Sequence, residues 1–138
     1  MATNCGIAVK TDKGYSTIYV HNDGYPKHML KTLLQHHNSE ESARKIISLG
    51  DASCIYSKID PTDGSGHSFN NPEDDVCIFY HRDRGEPLED TCPIRYDSKR
   101  ELISNFSYLY VFEDGKWTVY KEGYPVKEMK EYEIWTAS

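Results

Sequence analysis

Two short polar segments of this sequence carry the side chains that could do chemistry, and each follows a β-rich run. The first holds His21, Asp23 and Tyr25, directly after residues 18–20. A histidine two residues from an aspartate is compatible with a catalytic couple or a metal site, because imidazole and carboxylate are common ligands. It is also compatible with a simple turn in which Asn and Asp bond to their own backbone. No HxH, HExxH or DxD element accompanies it, so we expect no metal and no cofactor.

The second segment holds Tyr80, His81, Arg82 and Arg84, with Asp83 between the two arginines. Two arginines that flank an acid at the end of a buried strand are costly to hold together unless they pair or await an anion. Arginine grips phosphate bidentately and stacks on bases, which lysine does less well. The cluster therefore indicates either a phosphate-binding site or a structural network of Arg, Asp and Glu that closes a loop.

Composition limits the class of protein. A chain of 138 residues is long enough for one domain, residues 1–138, with a core of its own. A net charge of -6 argues against a general nucleic-acid binder, which would show a basic surface. Four cysteines without CxxC spacing, the lack of a signal-peptide pattern and apolar runs too short to cross a bilayer predict a cytoplasmic protein with reduced thiols and no membrane segment.

Hydrophobic periodicity places the first segment between a hairpin and two helices. Residues 6–10 and 15–21 alternate as two strands around an Asp- and Gly-containing turn. Residues 26–37 repeat apolar side chains at helical spacing, with Pro26 at the first position. Asn38 or Ser39 caps a second helix that ends at Gly50. Helices joined by so short a link should pack as a helical hairpin over the sheet.

The rest of the chain continues with strands. Residues 51–58 read as a loop or a short strand, and residues 60–75 as a long loop that we expect to be the most mobile part. Residues 76–81 form the clearest buried strand, and residues 87–96 a further loop. A short helix capped by Asp97 or Ser98 precedes a hairpin whose first strand, residues 108–112, has apolar side chains on both faces.

The order of these elements predicts an α+β fold. Its sheet should be antiparallel or mixed, built from two hairpins and a central strand, with the helical hairpin packed on one face. In such a sheet we expect the strands that end at His21 and His81 to be neighbours. The two polar segments would then form one anion-binding site made by Tyr19, His21, Asp23, Tyr25, Tyr80, His81, Arg82 and Arg84.

Three motifs in this order resemble a family of small proteins encoded by phages and prophages. The family shows a Tyr-x-His-x-Asp-Gly-Tyr-Pro segment, a Leu-Gly-Asp segment and an Arg-Asp-Arg-Gly-Glu segment, which correspond here to residues 19–26, 49–51 and 82–86. The likeness covers about the N-terminal two-thirds of the chain. It departs at Asn22, where members often carry Trp, and in lacking the Gly that commonly follows the Pro.

The resemblance implies a setting in the cytoplasm of a bacterial host, where small phage proteins often act against defence systems. One class consists of sponges, homo-oligomers that enclose cyclic nucleotide or ADP-ribose-type signals in pockets lined by arginine and aromatic residues. We favour this function, binding without turnover, for the present chain. A protein-binding inhibitor of a defence complex, such as a CRISPR effector, is the first alternative. An enzyme that cleaves the signal through His21 or His81 is the second.

We predict a homo-oligomer. The aromatic residues of segment 132–135 and 11 tyrosines are more aromatic surface than a monomer of this size easily covers. Light scattering at micromolar concentration should give a mass above that of one chain, and a monomer mass would refute the prediction.

Overall fold

A mixed eight-stranded sheet forms the centre of the molecule in the computed structural model, which describes residues 3–121 and the backbone of residues 124 and 125. The strands are β1 (Cys5–Thr11), β2 (Gly14–Val20), β3 (Ala52–Cys54), β4 (Ile78–Phe79), β5 (Ile94–Tyr96), β6 (Tyr108–Glu113), β7 (Lys116–Lys121) and β8 (Tyr124–Pro125). The described helices are α1 (Met29–His36), α2 (Glu40–Ser48), α3 (Tyr80–Arg84), α4 (Leu88–Thr91) and α5 (Lys99–Ile103).

Strand order in the sheet is β4-β3-β2-β1-β6-β7-β8, and β5 pairs with β2 beside this path. The β1–β6 and β2–β3 pairs are parallel, whereas the other pairs are antiparallel. The predicted α+β class is therefore confirmed, and the sheet is the mixed one of the two kinds expected. Parallel pairs need long connections, and here each of them is bridged by helices.

Side chains of β1 alternate between two apolar clusters, one on each face of the sheet. The larger cluster contains Ile7 and Val9 together with buried side chains of α1 and α2. The smaller cluster contains Ala8 and Leu102 of α5, so helical packing occurs on both faces. Residues 5–9 of β1 are consequently all buried, as expected for a central strand, and only Lys10 and Thr11 at its end are not.

The β6–β7 hairpin matches its sequence pattern closely. Tyr110 and Phe112 lie in the larger cluster, while Leu109 and Val111 lie in the smaller one, which confirms that both faces of β6 are covered. The connecting residues Asp114 and Gly115 have φ of 55° and 76°. Two consecutive positive φ values define the tight hairpin turn whose twist suits the flanking strands.

Helix starts follow the capping signals. The Ser39 side chain accepts a hydrogen bond from the Ser42 N–H at the start of α2, and Ser98 accepts one from Glu101 at the start of α5. The first helix begins at Met29 and not at Pro26, although the Leu30 N–H already bonds to the Pro26 carbonyl at 3.0 Å. The difference is one of boundary, since the first helical turn is irregular.

Two expectations for the middle of the chain are wrong. The strand predicted over residues 76–81 is reduced to β4, because the Asp83 carboxylate accepts a hydrogen bond from the Phe79 N–H at 2.8 Å and α3 begins at the next residue. An acid near the start of a helix that bonds back to the preceding N–H is a strong helix-start signal. The loop predicted over residues 87–96 contains α4 and β5.

All four cysteines are unpaired, and only Cys92 among them is exposed. No helix in the described part of the chain combines the length and the apolar character needed to cross a membrane. Segment 132–135 lies outside the described residues, so the homo-oligomer stays a prediction.

His37 is a buried polar residue whose hydrogen bonds connect the helices to the sheet. Its ring contacts the Ser42 hydroxyl through Nδ1 at 2.8 Å and the Tyr56 carbonyl through Nε2 at 2.7 Å. A carbonyl can only accept, so Nε2 carries the proton and Nδ1 accepts from Ser42. The His37 carbonyl accepts a hydrogen bond from the Trp117 indole at 3.0 Å. Burial lowers the pKa of His37, although the bond to the Tyr56 carbonyl partly opposes that shift.

Acidification should weaken the fold through His37. Its stabilising contribution is complete above the ordinary pKa of 6.5 and is lost as the pH falls below that value, because the unfolded chain binds the proton first. We expect the free energy of unfolding in urea to decline from about pH 7.5 to about pH 5.5. The slope should be smaller in His37→Gln than in the control His81→Gln, since His81 is exposed and does not affect the pKa of His37. Equal slopes in the two variants would contradict the assignment.

Candidate functional site

The outer edge of β2 organises the first polar segment. Its early residues pair with β5, and Val20 pairs with Ala52 of β3. Between these two partners the Tyr19 N–H donates to the Asp51 carboxylate at 2.9 Å, so a side chain fills the gap in the edge. The Asp51 carbonyl also accepts from the Tyr80 N–H at 3.2 Å, which ties the second polar segment to the same residue. Burial raises the pKa of Asp51, and the bond from Tyr19 partly opposes that rise.

In the turn after β2, Asp23 has a positive φ, a backbone conformation that is unfavourable for most residues. Asp23 has φ of 56°, in the left-handed region that aspartate tolerates better than most residues. Gly24 is needed for a different reason, since a Cβ there would lie 2.7 Å from Cβ of Cys5. The Gly24 carbonyl accepts from the buried Tyr110 hydroxyl at 2.7 Å. The Asp-Gly pair thus folds the turn tightly against the start of β1.

Among the described residues, the apolar cluster under α5 covers only part of one sheet face. On β2, Ile18 and Val20 belong to the larger cluster, so the alternating Tyr19 points to the opposite face. The same alternation turns Ser53 of β3 and Ile78 of β4 to that face, because Ala52 and Phe79 belong to the larger cluster. Tyr80, the first residue of α3, lies beside Ser53 and Tyr19. The smaller cluster under α5 includes no described residue of β3 or β4. We call this area, lined by Tyr19, His21, Tyr80 and Arg84 with the buried Ser53 beneath them, the open face.

Contacts join the side chains of the open face into one group. The Tyr19 hydroxyl lies 2.7 Å from Nδ1 of the exposed His21. Ser53 accepts from Nδ2 of Asn22 at 3.0 Å, and its hydroxyl lies near that of Tyr80. Burial raises the pKa of Tyr80; the nearby Ser53 hydroxyl opposes this rise, and the nearby Tyr19 adds to it. Two tyrosines, an imidazole and hydroxyl groups therefore share one surface.

Arg82 does not face this surface. Its guanidinium donates to the Asp83 carboxylate through Nε at 2.8 Å, and to the carbonyls of Ile59 and Cys77 at 2.8 and 2.9 Å. Burial alone would raise the pKa of Asp83, but hydrogen bonds from Arg82 and the Phe79 N–H bring it below its ordinary value. Of the two interpretations of the arginine cluster, Arg82 therefore fits the structural network that closes a loop.

Arg84 has a different environment. Its guanidinium forms an ion pair with Glu86 at 3.2 Å, and about half of the side chain is exposed. The same group lies 4.7 Å from the centre of the Phe69 ring and 5.5 Å from that of Tyr80. An exposed ion pair contributes little free energy, so Arg84 can exchange Glu86 for another anion at small cost.

The eight predicted site residues do not form one cluster. The expectation that β2 and β4 are neighbours is wrong, because β3 lies between them. The open face brings together Tyr19, His21, Tyr80 and Arg84. Asp23 and Tyr25 have other neighbours. The charge of Asp23 is one of the causes that raise the pKa of Tyr56, and the centre of the Tyr25 ring lies 6.4 Å from that of His28. His81 is exposed and contacts the Glu86 carbonyl through Nδ1 at 2.7 Å.

Shallow depressions surround the turn between β1 and β2, at the opposite end of β2 from His21. Three of them have volumes of about 220, 340 and 250 Å³ and share Thr11 in their walls. Arg44 and Arg95 line them, each held in an exposed ion pair, with Glu40 and Asp97 respectively. Cationic and anionic side chains alternate there, so the depressions show no preference for one charge.

Comparison with protein families, with curated proteins and with solved structures gives no match for this chain. Among the described residues, no three His, Cys, Asp or Glu side chains are grouped so that they could hold a metal ion. The site is therefore defined by its own geometry, an open sheet face with aromatic rings and one weakly engaged arginine.

Substitutions of Asp51 should separate its role as an acceptor from its charge. Asp51→Asn keeps an oxygen for the Tyr19 N–H and removes a partly buried carboxylate whose raised pKa makes ionisation costly. We expect Asp51→Asn to match or exceed the wild type in free energy of unfolding at pH 7. Asp51→Ala should lose about 1 kcal/mol, because a partly buried N–H loses its acceptor. Equal losses in both variants, measured in urea, would contradict this role.

Proposed function

We propose that this chain is a phage anti-defence protein that acts in the host cytoplasm by binding a nucleotide-type immune signal, a cyclic nucleotide or an ADP-ribose derivative, without turnover. The observation that carries the proposal is the open face, where Tyr19, Tyr80 and Arg84 present two aromatic rings and a guanidinium. Aromatic rings stack on bases of any sequence, and guanidinium binds phosphate bidentately. The resemblance to phage-encoded proteins supports the setting.

Binding is favoured over catalysis by the way the two exposed histidines are held. Nδ1 of His21 lies against the Tyr19 hydroxyl, and Nδ1 of His81 against the Glu86 carbonyl. Neither contact is with a carboxylate, whereas a histidine that acts as a general base is typically oriented by one. Both rings are suited to donate or accept hydrogen bonds with a ligand.

A protein-binding inhibitor of a defence complex is the second candidate, and one observation favours it. Ile94 pairs with Thr17 of β2 and so shares the face on which Tyr19 lies, yet its side chain is 60% exposed. A large apolar side chain beside polar aromatics is a common composition for a protein interface. The two candidates differ in the ligand that stabilises the free protein.

Arg84→Ala should remove nucleotide binding and leave the fold intact. Its matched control is Arg95→Ala, since Arg95 is also exposed and paired with one acid, at 3.3 Å from Asp97. We expect cyclic di-AMP or ADP-ribose to raise the melting temperature of the wild type and of Arg95→Ala, but not of Arg84→Ala. Arg82→Ala should instead unfold more easily, by about 3 kcal/mol, because the buried Asp83 carboxylate loses its guanidinium partner.

Two outcomes would overturn the proposal. The first is the absence of any shift or calorimetric binding with both probes, which would leave the protein-binding candidate. The second is turnover, seen as loss of an excess of either nucleotide during incubation with trace protein. Normal nucleotide binding by Arg84→Ala would show that the nucleotide does not bind at the open face.

A further inference from the structure

The loop of residues 60–75 is clamped at both of its ends by one side chain. The Arg82 guanidinium donates to the carbonyl of Ile59, just before the loop, and to that of Cys77, just after it. The Cys77 N–H also donates to the Lys58 carbonyl at 2.8 Å. Arginine can serve several acceptors at once because its donors have a fixed planar arrangement. The two stems of the loop are therefore held together beside α3.

Asp83 holds the middle of the same loop. Its carbonyl accepts from the Phe69 N–H at 2.9 Å, and its Oδ2 lies 3.2 Å from Nε2 of His67. Nδ1 of His67 accepts from the Glu73 N–H at 2.9 Å, so the ring proton is on Nε2. Nε2 is close enough to the Asp83 carboxylate for an ion pair, although its N–H is not aligned for a hydrogen bond. The side chains of His67 and Asp83 are 1% and 3% exposed, so solvent does not compete for this contact.

The anchored loop brings Phe69 to the edge of the open face. Its ring centre lies 5.8 Å from that of Tyr80, with 31° between the ring planes. The Arg84 guanidinium lies within 6 Å of both ring centres, the range in which a cation is attracted by a ring face. Two inclined rings with a planar cation over them form a platform on which another planar group can stack.

We infer that Phe69 is a further ligand-binding residue, which stacks with Tyr80 on the base of the nucleotide, and that the His67–Asp83 contact positions it. This inference rests on the proposed function of the open face. In the free protein the Arg84 guanidinium covers the ring pair, and when a base takes that place the guanidinium is available for a phosphate. Selection for a base would then come from Phe69 and Tyr80, and selection for a phosphate from Arg84.

The positioning role can be tested without ligand by amide hydrogen exchange. His67→Ala should speed exchange of the Phe69 and Glu73 amides by about tenfold or more, since the loop loses its central contact. Amides of β6 and β7 should keep their protection, which shows that the variant is folded. His36→Ala, an exposed histidine outside the site, serves as the control. Unchanged protection of the Phe69 amide in His67→Ala would overturn the positioning role.

The stacking role is tested with two probes that differ by a base. In calorimetry, Phe69→Leu should bind ADP-ribose about tenfold more weakly than the wild type, as expected for the loss of one base–aromatic contact. Ribose 5-phosphate, which has no base, should compete with ADP-ribose equally well for both proteins. His67→Ala should show the same selective loss of ADP-ribose affinity. His36→Ala should bind both probes as the wild type does.

Each result is decisive. Equal affinity of Phe69→Leu and the wild type for ADP-ribose overturns the stacking role while the proposed function stands. Equal weakening toward both probes also overturns it, because the defect is then not specific to the base. A wild type that binds neither probe refutes the proposed function for ADP-ribose derivatives, and the stacking role with it, whereas hydrogen exchange still decides whether His67 positions the loop.

Discussion

The backbone groups along the outer edge of β2 must all find partners, and the rest of the structure depends on how they do so. One long strand would have been the simplest partner, but two distant parts of the chain share the edge: β5, and the segment in which the Asp51 carboxylate is followed directly by β3. Backbone polar groups left unpaired in the interior are costly, so each of these segments is held in place by the edge it completes. The Asp51 backbone then extends the connection to Tyr80 and α3.

This shared edge also explains why the open face exists. Because β3 and β4 are short, only a few of their residues turn away from the larger core, and α5 reaches no described residue of either strand. The residues of these two strands that turn away from that core are the buried Ser53 and the partly exposed Ile78. The neighbouring Tyr19 and Tyr80 have a polar hydroxyl at the end of an apolar ring, so they can lie half-exposed without a large cost. Two neighbouring arginines meanwhile take different roles. Arg82 is enclosed by carbonyl groups, whereas Arg84 lies over rings at the surface.

Local signals in the sequence predict local structure well here. Hairpin turns, the caps at Ser39 and Ser98 and the two-sided burial of β6 depend on residues close together in the chain, and the structure has all of them. The insertion of β3 between β2 and β4 could not be predicted, since it depends on pairing between segments about thirty residues apart. His67 and Phe69 were missed for the same reason, because a loop residue without a periodic pattern gives no signal of its distant partner. The one usable hint was the Arg-Asp pair itself, whose charges had to be compensated somewhere.

The parallel pairing of β1 with β6 has a consequence for how the chain folds. Gly6 lies beside Leu109, so the centre of the sheet joins residues separated by about one hundred positions. During synthesis β1 leaves the ribosome long before β6, and until then one of its edges has no strand to pair with. Such long-range contacts slow folding, and an unpaired central strand promotes association with other chains. Fragments that end before residue 108 would carry this defect permanently, which makes the last hairpin the step that closes the fold.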